Sequence, residues 1–527
     1  MLLEREADTK RLAAAFEAAQ GGRGAMVLVA GEAGIGKTAF VRNFVEGQTQ
    51  ALILIGHCDP LFTPTPLGPL YDIARVLKGP LLELLASAPS RAALFSNVLA
   101  FLQGSPRPIV VIIEDLHWAD EATLDWIKHL ARRLETLRVL VIATYRDDES
   151  SPPFKRLLGE LANASAIHRI LLQGLSAQAV ATLASGRSID AAVLHRRTGG
   201  NPFFVTEILA GQRGGIPPTV RDAVLARAMK LSAKGHVLLN AAAAIGARIK
   251  PDLLEAVVPN AVAALGECMA IGILRADGDI AFRHELARSA ILDSVDPLQR
   301  RALFRKVLQA AAEGPAVEPV QLAQLAHYAE EAADAEAVQR FALPAARAAS
   351  ALGAHREAAA QYQRALRFMA GEPTAARASM LEAYAQECAL IDDLEASVAA
   401  YREAANIHKG LGDSKRQAVA LSALAWPLVR NGQNQAAEEA SALAVSLLEQ
   451  QPRSPDLAAA YRIQAHLRML DRDRDMAVAI GTKAIELART LGDRETEVAA
   501  QIVVGAAMLV SGDDSGRSIL DICIAAA

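Results

Sequence analysis

Five short apolar runs, at residues 25–30, 51–56, 108–113, 139–144 and 167–172, punctuate the first third of the chain, and stretches of helical periodicity lie between them. The alternation of such runs with helical stretches predicts a parallel sheet sandwiched by helices. Ahead of the first run, residues 5–20 place Leu12, Ala15, Phe16 and Ala19 at helical spacing and end at Gly21-Gly22, which predicts a helix leading into the sheet. Ligands of such sheets sit beyond the carboxyl ends of the strands, so the residues just after each run are where chemistry is expected.

The first run is followed by Gly31-Glu32-Ala33-Gly34-Ile35-Gly36-Lys37-Thr38. Two glycines five apart followed by lysine and threonine are the spacing of a phosphate-cradling loop. The glycines let successive N–H groups turn inward, and the helix that follows adds its positive end. A nucleoside triphosphate is the expected ligand, with Lys37 reaching the β- and γ-phosphates and Thr38 holding Mg²⁺ through its hydroxyl. The run at 109–113 delivers Glu114 and Asp115, expected to lie beside the exit of the phosphate-loop strand. One carboxylate there would hold the metal and the other would orient a water; position gives Glu114 the first role and Asp115 the second, with the reverse open. The run at 139–144 brings Thr144 and Arg146 to the same edge, where the guanidinium either senses the γ-phosphate or pairs with Asp147 or Asp148 in a solvated loop. Gly199-Gly200-Asn201-Pro202 reads as a helix stop and a new start, with Asn201 capping and Pro202 in the first turn.

Composition narrows the class. At 527 residues the chain exceeds one core, and three or four domains are expected. A 52% hydrophobic content with only 4% aromatic residues indicates an alanine- and leucine-rich, mostly helical protein. The four cysteines are far apart and the eleven histidines lack ligand spacing, so neither a disulfide framework nor a zinc site is expected. An early charge at Glu4 and Arg5, with no long uncharged stretch, points to a soluble, cytoplasmic protein without a membrane partner. Net charge is −4, and residues 301–527 carry 23 basic against 29 acidic side chains, no footprint for a nucleic-acid backbone.

From about residue 320 the sequence repeats. Glu357-Ala358, Glu395-Ala396 and Gln435-Ala436 open similar segments 38 and then 40 residues apart, with weaker echoes at Met476-Ala477 and Gly516-Arg517. Small residues at such a period predict stacked helix pairs that make a curved surface suited to a partner; a plain helical bundle is the alternative.

Taken together, Leu3-Glu4-Arg5-Glu6, the loop 31–38, Ile113-Glu114-Asp115-Leu116-His117-Trp118-Ala119-Asp120, Ala143-Thr144-Tyr145-Arg146 and Gly200-Asn201-Pro202-Phe203 resemble the signal-transduction ATPases with numerous domains, and among them the large ATP-binding regulators of the LuxR type. The resemblance implies an α/β P-loop ATPase domain at 1–172, a helical lid at 173–215, a winged-helix domain at 216–300 and tetratricopeptide-like repeats at 301–527. It further implies that the segment carrying Arg5 lies by the adenine, that Arg146 reads the γ-phosphate and that Pro202 packs against the base. The winged-helix domain, opening at Ile216-Pro217-Pro218-Thr219 and closing at Ala281-Phe282-Arg283-His284, would clamp nucleotide and not bind DNA. His284 would touch the diphosphate, or else is a helix-start histidine without a ligand. Two departures stand out. Family members more often end this acidic strand in two aspartates where Glu114 stands here, and they finish in a helix-turn-helix, whereas this chain stops at Ile522-Cys523-Ile524-Ala525-Ala526-Ala527, as a shortened relative or as a piece of a longer regulator.

The function so implied is an ATP/ADP switch with slow hydrolysis and Mg²⁺ as cofactor. A small-molecule or protein inducer would act on the repeats, self-association would depend on nucleotide, and transcriptional regulation would be the setting. An oligomeric AAA-like motor and a repeat scaffold with structural nucleotide are the alternatives.

Overall fold

The computed structural model describes residues 2–61, 63–77, 82–83, 85, 91–148, 151–162, 164–187, 189–210, 220–277, 279–313, 319–369 and 371–526. It divides into two compact units, 1–357 and 358–527.

The first unit is built on five parallel strands, β1 (Ala25–Ala30), β2 (Leu52–His57), β3 (Ile109–Glu114), β4 (Val139–Tyr145) and β5 (Ile167–Leu171), in the order β2-β3-β4-β1-β5. All five apolar runs form strands, but full coverage holds only for the central three, whose residues are all buried. The edge strands β2 and β5 have partly exposed positions, because each lacks one neighbour. Helix α1 (Glu6–Gln20) packs Leu12, Ala15, Phe16 and Ala19 against this sheet, so the helical spacing seen in the sequence is its buried face. One expectation needs correction: β4 lies between β3 and β1, so Glu114 and Asp115 do not adjoin the exit of the phosphate-loop strand. Thr144 from β4 occupies that intervening place.

Further helices complete the nucleotide-domain side: α2 (Lys37–Glu46), α3 (Gly68–Leu77), α4 (Arg91–Gly104), α5 (Glu121–Ala131) and α6 (Pro152–Leu161). Then α7 (Ala177–Ala184), α8 (Ala191–Thr198) and α9 (Pro202–Ala210) enclose a small core of Leu175, Val180, Leu194, Val205 and Leu209, against which Leu3 packs. After α10 (Val220–Ala228) and α11 (Ala233–Ile245) comes a three-stranded antiparallel sheet in the order β6-β8-β7, from β6 (Arg248–Ile249), β7 (Leu274–Asp277) and β8 (Asp279–Phe282). It is flanked by α12 (Pro251–Val257), α13 (Ala261–Ala270) and α14 (Glu285–Ser294). The expected opening at Ile216 to Thr219 lies outside the described residues. The unit continues through α15 (Pro297–Ala312), α16 (Leu322–Glu331), α17 (Ala335–Ala351) and the first turn of α18 (His355–Phe368).

That first turn meets α5 through acids. Asp120, the N-cap of α5, is 1% exposed and accepts hydrogen bonds from the N–H groups of Thr123 and Leu67. Glu357 Oε1 accepts from the Glu121 N–H at 3.3 Å, and Arg356 pairs with Glu121. Burial, and after it Asp120, push the Glu357 carboxyl from its ordinary 4.5 up to about 8. A carboxyl that holds its proton more tightly folded than unfolded makes the folded state bind more protons, so stability falls as pH rises from about 4.5 through about 8. Glu357→Gln keeps an acceptor for Glu121 and removes this cost. It is expected to raise the stability of this unit at pH 8 and to leave it nearly unchanged at pH 4.5. Urea unfolding at the two pH values checks both halves of that statement.

The second unit is a stack of antiparallel helices: α19 (Ala375–Leu390), α20 (Leu394–Gly410), α21 (Ser414–Arg430), α22 (Asn434–Glu449), α23 (Pro455–Leu470), α24 (Arg474–Leu491), α25 (Arg494–Val510) and α26 (Ser515–Ala526). Its period is sharper than the sequence comparison gave. Left-handed residues recur at Asp392, Gly412, Gly432, Arg472, Gly492 and Gly512. Each ends a helix, and the carboxylates of Asp393, Asp413, Asp473 and Asp493 cap the next one. Alanines such as Ala404, Ala425, Ala437 and Ala465 are fully buried where helices touch. Among the described residues no single helix is long and apolar enough to cross a membrane, and all four cysteines are free and buried.

Candidate functional site

The phosphate loop follows β1 directly. Gly31, Gly34 and Gly36 all have positive φ, at 148°, 82° and 97°, and Gly36 caps α2. Glycine enters this region of backbone conformation at little cost, which explains why it occupies the positions. Glu32, Ala33 and Ile35 fill the loop, with Ile35 buried in the sheet core. The Lys37 ammonium curls back over it, donating to the carbonyls of Gly31 at 2.8 Å and Glu32 at 3.0 Å. Burial lowers the Lys37 pKa and Arg146 adds to this, while Asp115 and Glu114 act the other way.

Across from the loop, Glu114 Oε2 accepts from two hydroxyls, Thr38 Oγ1 at 3.0 Å and Thr144 Oγ1 at 2.8 Å. Thr144 also accepts from the Asp115 N–H at 2.9 Å. A single buried threonine on β4 thus ties both acids into one constellation, bridging the gap that the strand order opens. Asp115 sits in the left-handed region with φ 57°, a conformation costing a non-glycine residue about 1 kcal/mol. Burial, then the neighbouring Glu114, push its carboxyl up to about 6.

Arg146 is 5% exposed, with its guanidinium 4.9 Å from the centre of the Trp118 ring. This arginine is thus withdrawn from solvent. Trp118 comes from the short turn after Asp115, and its neighbour His117 is held neutral, its pKa brought down to about 3 by burial and by the cations Arg146 and Lys37.

The segment 199–203, the turn between α8 and α9, bonds one side of the loop. Asn201 Nδ2 donates to the Ala33 carbonyl at 2.9 Å, the Phe203 N–H donates to the Gly34 carbonyl at 3.2 Å, and Asn201 caps α9 through the same Phe203 N–H. Pro202 takes the first helical position. Arg5, 7% exposed, donates to the Gln173 carbonyl at 2.7 Å and to the Ile35 carbonyl at 3.5 Å, fixing the N-terminal segment to the loop. Glu4 accepts from the Ser176 N–H at 2.8 Å.

His284, which caps α14, stacks on the Phe203 ring at 4.3 Å. Its Nδ1 accepts from the Leu286 N–H at 3.1 Å, so the neutral ring carries its proton on Nε2. Burial first, then Arg146 and Lys37, lower its pKa to about 3. Contacts and electrostatic interactions thus link Arg5, the loop 31–38, Glu114, Asp115, Thr144, Arg146, Asn201 and His284. Phe203, Trp118 and the Asn201–Ala33 bond were not anticipated in these roles. The one local signal for them is that they sit inside motifs already conspicuous for other reasons.

Residues 1–142 match the family model of an AAA ATPase domain. That class binds nucleotide, and its catalytic member activity is ATP hydrolysis. A curated relative, the uncharacterized protein R02095 of Rhizobium meliloti (strain 1021), is 25% identical over 387 residues, covering 59% of this chain. The match spans 37% of that relative's length. Among solved structures, this chain is similar to a signal-transduction ATPase with numerous domains and a tetratricopeptide repeat sensor, PH0952 of Pyrococcus horikoshii, at 14% identity and TM-score 0.46, over 99% of this chain and 82% of that one. BtubC of P. vanneervenii aligns over 44% of this chain and 90% of its own at 16% identity and TM-score 0.32.

Proposed function

We propose that this chain is an ATP-binding signalling switch of the multidomain STAND type, related to LuxR-type transcriptional regulators. A lid at 173–215 and a winged-helix-like domain at 216–300 would respond to nucleotide bound on the 1–172 domain, and an inducer would act on repeats within 301–527. The observation that carries this reading is His284. It belongs to the segment bearing the antiparallel sheet, yet it stacks on Phe203, whose N–H binds the phosphate loop, within electrostatic reach of Lys37 and Arg146. A ligand on the loop is in this way placed to change how a second module is held.

The residues fit Mg-ATP. Three positive-φ glycines make a concave cradle, and Lys37 and Arg146 supply cationic charge. Among the described residues no three histidines, cysteines or carboxylates form a metal cage, so Mg²⁺ would be shared by Thr38, Glu114 and the phosphates. When bound, Mg²⁺ supplies charge neutralisation for phosphoryl transfer. In that scheme Thr144 fixes Glu114, and the raised pKa of Asp115 suits a carboxylate that positions water and takes a proton. Arg146 reads the γ-phosphate, Arg5 and Pro202 border the adenine, and the Nε2–H of His284 donates to the diphosphate. Hydrolysis is slow, and the cell compartment is the cytoplasm. Moving such a switch from mostly closed to mostly open takes about 5.5 kcal/mol of differential binding.

The test is the solution mass and shape of the full chain with ADP and with a non-hydrolysable ATP analogue. A nucleotide-dependent change in assembly or dimensions is expected, and identical behaviour in both would sink the switch.

A further inference from the structure

The turn 116–118 that follows Asp115 carries two large apolar side chains with different fates. Leu116 is sealed in the core, whereas Trp118 is only half-buried and spends its ring face on a cation, the Arg146 guanidinium. The backbone beneath that ring is tied on both sides. The Trp118 N–H donates to the Asp115 carbonyl at 2.9 Å, and the Asp115 N–H donates in turn to Thr144 Oγ1. Two residues further on, Asp120 caps α5 through the Thr123 N–H at 2.9 Å and also accepts from the Leu67 N–H. The indole is therefore a fixed plate, mounted on the same short turn as the carboxylate of Asp115.

Arg146 follows directly on β4, whose last residues are pinned from two directions. Tyr145 packs edge-on against Phe154 of α6 at 5.3 Å, and Thr144 donates to Glu114. Beyond that anchor the arginine has a long, rotamer-rich stem, so the place of its charge depends on what meets the guanidinium. Lys37 is close enough for the two cations to act on each other, and like charges repel. An aromatic face attracts a guanidinium and offsets part of that repulsion. Unlike a carboxylate it brings no negative charge to oppose an incoming phosphate, and it engages none of the arginine's N–H donors as an acceptor would. A ring is thus the one kind of side chain that can fix this cation and still leave the region attractive to an anion.

We propose that Trp118 is the positioning residue for Arg146: its indole face holds the guanidinium where a third phosphate meets it, which makes this tryptophan a determinant of tri- over diphosphate preference. The inference deepens the proposed function and rests on its assignment of Arg146 to the γ-phosphate. It does not require that nucleotide change the assembly. Trp118 touches no phosphate in this scheme, so its removal leaves diphosphate binding alone and is felt only when the third phosphate is present.

Calorimetric titration of the full chain with ADP and with a non-hydrolysable ATP analogue tests this through the ratio of the two affinities. Trp118→Ala is expected to lower the preference for the analogue by about fivefold while ADP affinity stays within about twofold of wild type. Trp118→Phe, which keeps a ring face, should recover most of the preference. Trp118→Leu, which keeps apolar bulk without one, should not. Arg146→Ala should remove the preference outright, and adding Trp118→Ala to it should change nothing further, since the tryptophan acts only through the arginine. Circular dichroism and the retained ADP affinity show that each variant is folded. An unchanged ratio in Trp118→Ala, equal recovery by leucine and phenylalanine, or a further loss in the double variant overturns the proposal. Arg146→Ala binding both nucleotides as wild type does removes the γ-phosphate role and the proposal with it. If the ratios behave as expected while ADP and the analogue give the same assembly, the positioning role stands and the switch falls. A nucleotide-dependent assembly with an unchanged ratio in Trp118→Ala leaves the switch and removes the positioning role.

Discussion

Lys37→Ala is expected to weaken binding of ADP and of a non-hydrolysable ATP analogue by about 100-fold, because charge-assisted hydrogen bonds contribute about 1.5–3 kcal/mol each and 1.4 kcal/mol is a factor of ten. The Lys37 side chain is 7% exposed and its ammonium already lies along the loop, donating to Gly31 and Glu32. Little ordering remains to be done when it exchanges those carbonyls for phosphate oxygens. Burial lowers its pKa, and Asp115 and Glu114 act against that. Calorimetric titration of the variant, with its secondary structure verified, makes the comparison. An unchanged dissociation constant would remove Lys37 from the phosphate site and with it the proposed ligand.

The second large effect concerns Gly34. A Cβ there would lie 2.7 Å from the Phe203 Cβ and 2.9 Å from Asn201 Oδ1, at a φ of +82° that already disfavours side chains. Gly36 has a similar φ of +97°, and a Cβ on it meets nothing within 4 Å. Alanine at Gly36 therefore pays only the left-handed backbone, about 1 kcal/mol, whereas alanine at Gly34 also overpacks the 201–203 contact, for a total of about 2–4 kcal/mol. Gly34→Ala should lower the unfolding midpoint of the first unit more than Gly36→Ala and raise the exchange of the Phe203 amide, which donates to the Gly34 carbonyl. Equal destabilisation by the two variants would mean that segment 201–203 does not bear on the loop. The pair separates backbone strain from contact, since the first is common to both.

The phosphate loop, the three central strands and the first helix were legible in the sequence because their determinants are local. Glycine conformation, a lysine and a threonine at fixed offset, and unbroken apolar runs act over a few residues and leave little to distant context. The helical repeats were legible for the same reason, although the comparison of helix starts gave 38 and 40 residues where the left-handed turns and aspartate caps mark the register more closely. A search for Gly-Asp at helix ends, as at Gly412-Asp413, Gly492-Asp493 and Gly512-Asp513, would have found it.

Strand order was not legible. Nothing local to β3 or β4 says which of them pairs with β1, since both are fully buried apolar strands of like length. Only the packed sheet inserts β4 and so makes Thr144 the link between Glu114 and Asp115. The same holds for Arg146 over Trp118 and for His284 on Phe203. By itself the sequence determined which chemical groups are present, which short elements carry them and that a phosphate cradle is among them. The tertiary structure alone decided which groups meet, because those meetings join residues tens to hundreds of positions apart, and burial then set the protonation of Asp115, His284 and Glu357.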